Sequence, residues 1–387
     1  MDLLTDDHGF EQVIELRFKK RDLIWVFLFY KLADIIDSAG FDKYVILMGV
    51  SVFFLIYRKD TIKRNNIYIL LPGITYVFFG FISNMISGFY GFHTVKDGIL
   101  AVASSVLALF LYEDVLDHRI NICKVMLIGF GVYSFSFFLK SPDMLTREST
   151  QAFIYGAFII YFLINDEWNY VFLSILLCLF SDKRIALMGV AVAVCYIVFF
   201  VFASGKEFSR TKTIFTVTIV LTVIMTYYLT YTLHGGFLVK LFSEYGVNFN
   251  GRDKCWENFR DLAEFDLGFV GRGMGFVKSK LEIIGNNDYL LLHSDLYNAY
   301  IDLGFIGFGA WISSYFWAFY NLTKRSANKA KLFAITVVIY TFVIFLTDNA
   351  LIYIDYWLPL NIILLDISNR DPCVKNDCLR LRNCAVL

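Results

Sequence analysis

The sequence predicts an all-α, polytopic integral membrane protein of about ten to twelve transmembrane helices. It reads as a single membrane domain over residues 1–387, with one large outer loop, 234–293, that carries short surface helices. Three observations predict this class. The chain is 58% hydrophobic with a mean hydropathy of +0.59, whereas soluble domains are roughly half apolar. Charged residues make up 18% of it, and they cluster between long apolar runs. Only four prolines occur in the 387 residues.

A helix that crosses a bilayer needs ~20 mostly apolar residues. Such stretches run, approximately, over 22–37, 44–58, 67–87, 94–112, 120–139, 150–165, 168–181, 184–204, 212–233, 294–319, 330–347 and 349–367, twelve in all. The first and fourth carry charges, Lys31 with Asp34 and Lys96 with Asp97, and the sixth and seventh are short. Lys31 and Asp34 are spaced to pair on one helix face. Asp302 also falls at membrane depth, where ionisable residues are candidates for function. No repeat of fixed period and no low-complexity segment occurs. The opening MDLLTDDHGFEQVIELRFKKRD is acidic first and then basic, which is not the pattern of a cleavable signal peptide. The first apolar stretch is therefore expected to stay in place.

Basic residues set the expected orientation. With the N-terminus inside, the inner segments hold twenty Lys and Arg, among them Arg17, Arg58, Lys63, Arg119, Lys206 and Lys329. The short outer loops hold six: Lys43, Lys96, Lys140, Arg147, Lys183 and Arg184. Twelve spans then place both termini in the cytoplasm and the long loop outside. The stretch LLCLFSDKRIALMGVAV, residues 175–191, puts Lys183 and Arg184 at an outer hairpin tip, against the trend. The bland reading is a turn whose cations reach lipid headgroups. Ser181 at the same tip reads as a cap for the following helix.

Net charge is zero, so bulk electrostatics names no partner, and nucleic acid is not an expected one. Phe, Trp and Tyr are 18% of the residues, as suits lipid-facing bulk and interfacial anchoring. Of the seven cysteines, Cys123, Cys178 and Cys195 lie in apolar runs, Cys255 is alone in the long loop, and Cys373, Cys378 and Cys384 share the C-terminal tail. Reduced thiols are the expectation for all of them.

The long outer loop contains Trp256, several glycines and seven Lys or Arg. Its length exceeds the ~12–15 residues of an ordinary connection, and its apolar content argues against disorder. Residues 252–265 suit a short amphipathic surface helix, and GFVGRGMGF sets glycines around Arg272, which would let backbone approach a ligand closely. His293 falls at the outer mouth of the next helix, followed by Asp295, a residue that either orients the imidazole or acts as a first-turn anion. His234, before Gly235-Gly236, reads as a helix end. Asp348 and Asn349 read as a cap for the last helix. Arg252 has Asp253 and Glu257 as possible salt-bridge partners.

These features in order resemble the bacterial O-antigen polymerase and O-antigen ligase superfamily. The likeness rests on Ser181-x-x-Arg184, then Gly251-Arg252 and Trp256, then Gly271-Arg272-Gly273, then His293-Ser294-x-x-Tyr297, and last Leu303-Gly304-Phe305-Ile306-Gly307. Arg260 and Gly271 also fit the arginine, ten residues, glycine spacing described for the polymerases. The likeness covers about residues 175–310, and the chain has one large outer loop where the usual pattern has two.

The resemblance implies a metal-independent membrane glycosyltransferase of the bacterial inner membrane, with its active site on the periplasmic side and no cofactor. The implied substrate is an oligosaccharide linked to undecaprenyl diphosphate. The first expectation is a polymerase of lipid-linked repeat units for O-antigen, capsule or exopolysaccharide. The alternatives are an O-antigen ligase and, from another class, a lipid-linked oligosaccharide flippase. Membrane lipid and a chain-length regulator protein are the implied partners. Charge growing on a diphosphate leaving group calls for fixed cations, and arginine binds phosphate oxygens in pairs. Lys183, Arg184, Arg252 and Arg272 are the expected diphosphate ligands. His293 is the expected base, because a neutral imidazole is matched to taking a hydroxyl proton. Trp256, Tyr297 and Asp295 are the expected contacts to sugar or acceptor, with His293, Arg184 and Arg252 carrying the chemistry.

Overall fold

The structure, a computed structural model, describes residues 20–38, 41–57, 62–116, 121–140, 149–204, 211–234, 236–246, 251–284 and 291–369. Helices α1 (Lys20–Ser38) and α2 (Phe41–Tyr57) lead to a 3-10 turn (Asn66–Leu70) continuous with α3 (Leu71–Ser87). Next come α4 (Phe92–Phe110), α5 (Ile122–Lys140), α6 (Ala152–Ile164), α7 (Trp168–Phe180), α8 (Arg184–Ser204) and α9 (Thr211–His234). The long loop holds α10 (Phe237–Glu244), α11 (Arg252–Arg260) and α12 (Phe276–Ile284). The chain ends with α13 (Asp295–Thr323), α14 (Asn328–Thr347), a 3-10 turn (Ala350–Ile352) and α15 (Ile354–Asn369). No strand occurs among the described residues.

Each of the twelve apolar stretches coincides with one of these long helices to within about a turn. Among the described residues, three helices are long and apolar enough to cross a membrane: Asn66–Ser87, Phe92–Glu113 and Asn328–Thr347. Shorter apolar helices include Ala152–Ile164 and Trp168–Phe180. The surface helix expected over 252–265 stops at Arg260, and 261–275 is irregular. Lys31 and Asp34 do pair, at 3.2 Å, on an exposed face. Arg17, Arg58, Arg119, Lys206, the basic residues of the tail and Cys373, Cys378 and Cys384 lie outside the described residues.

Helix α6 is apolar on every side and buries all but one of its thirteen residues, as an all-round apolar helix must. It packs beside α14, where the Tyr340 hydroxyl donates to Phe153 O at 2.8 Å. Gly156 faces that hydroxyl so closely that any Cβ would collide with it. Helix α13 is broken at Gly304, whose φ of 73° and ψ of −178° are outside the helical range. The glycine loop inserts at that break: Arg272 N donates to Ile301 O at 2.8 Å, Gly273 N to Asp302 O at 3.1 Å, and Phe305 N to Phe269 O at 2.8 Å. A Cβ on Gly271 would lie 2.5 Å from Gly304 N. Gly271 and Gly275 thus serve backbone meeting backbone and Gly273 packs on Asn84, where the sequence suggested close approach to a ligand. Asp302 secures the insertion, accepting from Gly275 N at 3.1 Å and from the Tyr76 hydroxyl at 3.3 Å.

The helix ends gather into two groups. At one end, Lys183 meets Asp348, Arg252 meets Thr347, His293 meets Asn349, Lys278 meets Asp97 and His93 meets Glu282. At the other, Asn66 meets Glu113 and Asn369, Lys124 meets Glu167, and Lys329 meets Asp166. The candidate residues belong to the first end.

Candidate functional site

The hairpin tip at 181–183 turns Lys183 inward. Asp182 adopts φ 47°, a left-handed conformation that aspartate tolerates better than most residues. Ser181 does not cap α8: its hydroxyl donates back to Leu177 O at 2.9 Å, and its carbonyl accepts from Ser149 N at 3.0 Å. Lys183 follows, 6% exposed, with Nζ 2.5 Å from Asp348 Oδ2 and 4.7 Å from the Phe153 ring centre. Asp348 is 2% exposed; its Oδ1 accepts from Asn349 N at 2.8 Å and from the Tyr353 hydroxyl at 3.3 Å. A buried charge is tolerable only when it is paired and its remaining lone pairs are filled, and Asp348 meets both conditions.

Arg252 opens α11 after Gly251, whose φ is 78°. A cation at a helix N-terminus opposes the helix dipole, so dipole energetics do not explain its place. Its Nη1 donates to Thr347 O at 2.8 Å, next to Asp348. No carboxylate among the described residues pairs with it; Glu257 instead faces Arg260 at 3.7 Å. A guanidinium has five N–H donors, so most of this half-buried fork has no protein partner among the described residues.

His293, half-buried, with φ 51°, is near enough to both cations to feel their charge. A positive φ away from glycine is a local cost of about 1–3 kcal/mol that the surroundings must impose. Here they do: Ser294 caps α13 by accepting from Tyr297 N at 3.2 Å, and Asp295 N donates to Asp348 O at 3.0 Å. The His293 Nδ1 lies 3.3 Å from Asn349 Nδ2. Oxygen and nitrogen of an amide are exchanged by a half-turn of the group. As placed, the amide nitrogen donates to Nδ1 and the ring proton sits on Nε2; in the half-turned orientation Asn349 accepts from Nδ1–H and leaves the Nε2 lone pair free to take a proton, and this second orientation is the one a base needs. Burial, then the Arg252 charge, pushes His293 below its ordinary value of 6.5; Asp348 acts the other way and Lys183 adds to the lowering. The ring is therefore neutral at neutral pH.

Asp295 does not touch His293. Its Oδ2 accepts from Leu351 N at 2.6 Å, so it ties the start of α13 to the segment that carries Asp348 and Asn349. Arg184 is exposed on the first turn of α8, beside Lys183 in the chain, and is not among the charges that act on His293. Arg272 stands apart: its Nε donates to Leu262 O at 3.1 Å and its guanidinium lies 6.0 Å from the Phe269 ring. Trp256 is 1% exposed, donates to Leu292 O at 2.8 Å and sets its ring edge against His234. Tyr297 is 4% exposed and stacks on the other side of His234. The structure thus gathers Lys183, Arg252 and His293 and leaves Arg184 at the rim, with Arg272, Trp256 and Tyr297 in neighbouring packing.

Asp348 and Asn349 are the residues that sequence reasoning assigned to a cap and that in fact complete the cluster. The signal available in the sequence is an acid and an amide just after one apolar stretch and a lysine at the tip of a hairpin between two others. Among the described residues no three His, Cys, Asp or Glu side chains come together as a metal-binding group. Compared with family models, curated proteins and solved structures, the chain matches none.

Proposed function

We propose that the protein is a multi-pass bacterial inner-membrane glycosyltransferase that polymerises oligosaccharide repeats carried on undecaprenyl diphosphate, with its chemistry on the periplasmic side. Several features support a membrane setting. The helices alternate between two ends, and Phe27, Phe53, Phe78, Phe172 and Phe199 are each more than half exposed. Apolar surface on that scale needs a lipid or protein cover.

The observation that carries the reaction is Arg252: a half-buried guanidinium with no carboxylate partner among the described residues, acting on a neutral imidazole from a different segment. In the proposed step the acceptor sugar hydroxyl attacks the anomeric carbon of the donor. The carbon–oxygen bond to the diphosphate breaks, and the electron pair leaves on the lipid diphosphate. His293 Nε2 takes the hydroxyl proton. Arg252 binds the leaving oxygens more tightly as their charge grows, which lowers the barrier. Arg184, at the rim, adds charge on the approach side. Lys183 is already neutralised by Asp348, and its contribution is to hold Asn349 and the His293 environment in place.

The test is the set of lipid-linked and lipid A-linked glycans in cells that lack the protein. A polymerase defect leaves single repeats on the lipid A core. Core with no glycan would indicate the ligase, and carrier stranded at the inner face would indicate a flippase; either result overturns the proposal.

A further inference from the structure

Helix α14 is enclosed by a ring of neighbours. It packs against α8, α6, α15, α13 and α9, and around that ring α8 packs on α6, α6 on α15, α15 on α13 and α13 on α9. The ring does not close between α8 and α9. Both lie on α14 but, among the described residues, they are not packed along one another. They touch where the Tyr196 and Thr218 hydroxyls come within 3.3 Å. Tyr196 is twelve residues from Arg184, the first residue of α8. At 1.5 Å per residue, the gap runs about 18 Å from that contact to the end that holds the candidate site.

Burial along the three helices follows the gap. On α14, Ile335 and Thr336 are buried, whereas Ile339, Val343 and Leu346, on one face and nearer the site, are half-buried. On α8, Ile185 and Val192 share the flank of Tyr196, and on α9, Met225 and Leu229 share the flank of Thr218. Each of these four is apolar and half-buried or exposed. The gap is thus an apolar cleft, floored by α14 and open sideways.

The head of the cleft is cationic. The floor ends at Thr347, whose carbonyl holds Arg252, and the α8 wall begins at Arg184. Leu346 packs against the buried cluster of Leu233, Trp256 and Phe259, which ties α11 and the end of α9 to the floor at this point. Neither guanidinium has a carboxylate partner among the described residues. Apolar walls that lead to such guanidiniums fit an apolar chain ending in an anion, and arginine forks bind phosphate oxygens in pairs. A phospholipid brings a single phosphodiester, whereas two arginines suit the larger charge of a diphosphate.

We infer that the cleft between α8 and α9 holds the prenyl chain of the lipid-diphosphate donor and passes it sideways from the bilayer to Arg252. The inference rests on the glycosyltransferase reading and names where its donor enters. Because the cleft is open along its side, no packed helices need part for the donor to enter or the spent carrier to leave.

The experiment is photo-crosslinking of the full-length protein in nanodiscs of phosphatidylethanolamine and phosphatidylglycerol that contain a minor share of undecaprenyl diphosphate. Benzoylphenylalanine replaces Val192, Met225 or Val198 in turn, and mass spectrometry identifies the attached lipid. Val192 and Met225 line the cleft; Val198, two residues past Tyr196, is exposed on the other side of α8. The cleft positions should capture undecaprenyl diphosphate well above its share of the bilayer, and Val198 should capture lipids in proportion to the bilayer. Arg252→Ala should lower capture at Val192 about tenfold, the worth of one charge-assisted contact. Undecaprenol, which lacks the diphosphate, should not be enriched. Capture at Val192 and Met225 that matches Val198, capture unmoved by Arg252→Ala, or preferential capture of phosphatidylglycerol in the cleft would each overturn the inference. Enriched capture by a protein that builds no polymer in vesicles would support the cleft and sink the reading of the reaction. Polymer growth without enrichment in the cleft would sink the cleft alone, so the two failures are separable.

Discussion

The ammonium of Lys183 lies 2.5 Å from the carboxylate of Asp348, joining positions 165 residues apart in a buried ion pair at one end of the helix bundle. Breaking such a pair from one side leaves an uncompensated buried charge, at a cost of about 3–5 kcal/mol. Lys183→Ala and Asp348→Ala should therefore each melt far below wild type in detergent. Lys183→Met combined with Asp348→Leu should recover most of the loss, because well-packed apolar groups replace buried pairs at little cost. Single variants that melt like the wild-type protein would show the pair to be unimportant.

The His293 environment predicts a pH profile. Its lowered value keeps the ring mostly unprotonated at 6.5, so activity should hold below that pH and fall only as the ring protonates. Arg252→Ala removes a positive neighbour, which favours the protonated ring, so the acid limb should move to higher pH on top of a general loss of rate. Asp348→Asn should move it the other way. The folded ring binds a proton less readily than the unfolded one. Its effect on stability is therefore absent above about 6.5 and becomes a loss as pH falls from there through the lowered value. An imidazole NMR titration of wild type and Arg252→Ala checks the sign.

In the proposed reaction Asn349 is a positioning residue. Asn349→Ala should cut kcat about tenfold, the worth of one good hydrogen bond, with KM little changed. Asn349→Asp keeps an acceptor for Nδ1–H and adds a negative charge. It should retain more rate than the alanine variant and move the acid limb upward. Equal losses and unshifted limbs in both variants would remove Asn349 from the account.

Helices were legible in the sequence because hydropathy is local: twenty adjacent residues report on themselves. The site was legible only where a motif carried it. Arg252 and His293 come to the same end of the bundle, while Lys183 is buried and Arg184 exposed, because which of two adjacent residues turns inward depends on the φ of Asp182 and on a partner 165 residues away. Asp348 and Asn349 read as a cap because nothing local distinguishes a capping acid from one facing a lysine. His234 read as a helix end for the same reason: its stack with Tyr297 and Trp256 is wholly non-local. The glycines around Arg272 suggested a ligand; Gly271 meets the helix break at Gly304, Gly273 meets Asn84 of α3, and Gly275 meets the start of α4.

That break gives a contrast in stability. Gly88 and Gly304 both have positive φ, 70° and 73°. A Cβ on Gly88 meets open space, whereas one on Gly304 collides with the Val270 carbonyl carbon. Gly88→Ala should cost about 1 kcal/mol, from backbone conformation alone. Gly304→Ala should cost about 3 kcal/mol or more, because the inserted loop must move. Similar melting temperatures for the two variants would contradict the packing of the loop against α13.

The most direct measurement is chain growth by the purified protein in vesicles, supplied with undecaprenyl-diphosphate-linked repeat units and read out by the length of the lipid-linked glycan. Wild type should extend the chain and release undecaprenyl diphosphate in step with each bond formed, while folded His293→Ala and Arg252→Ala should leave single repeats. Extension at the wild-type rate by either variant would contradict the account.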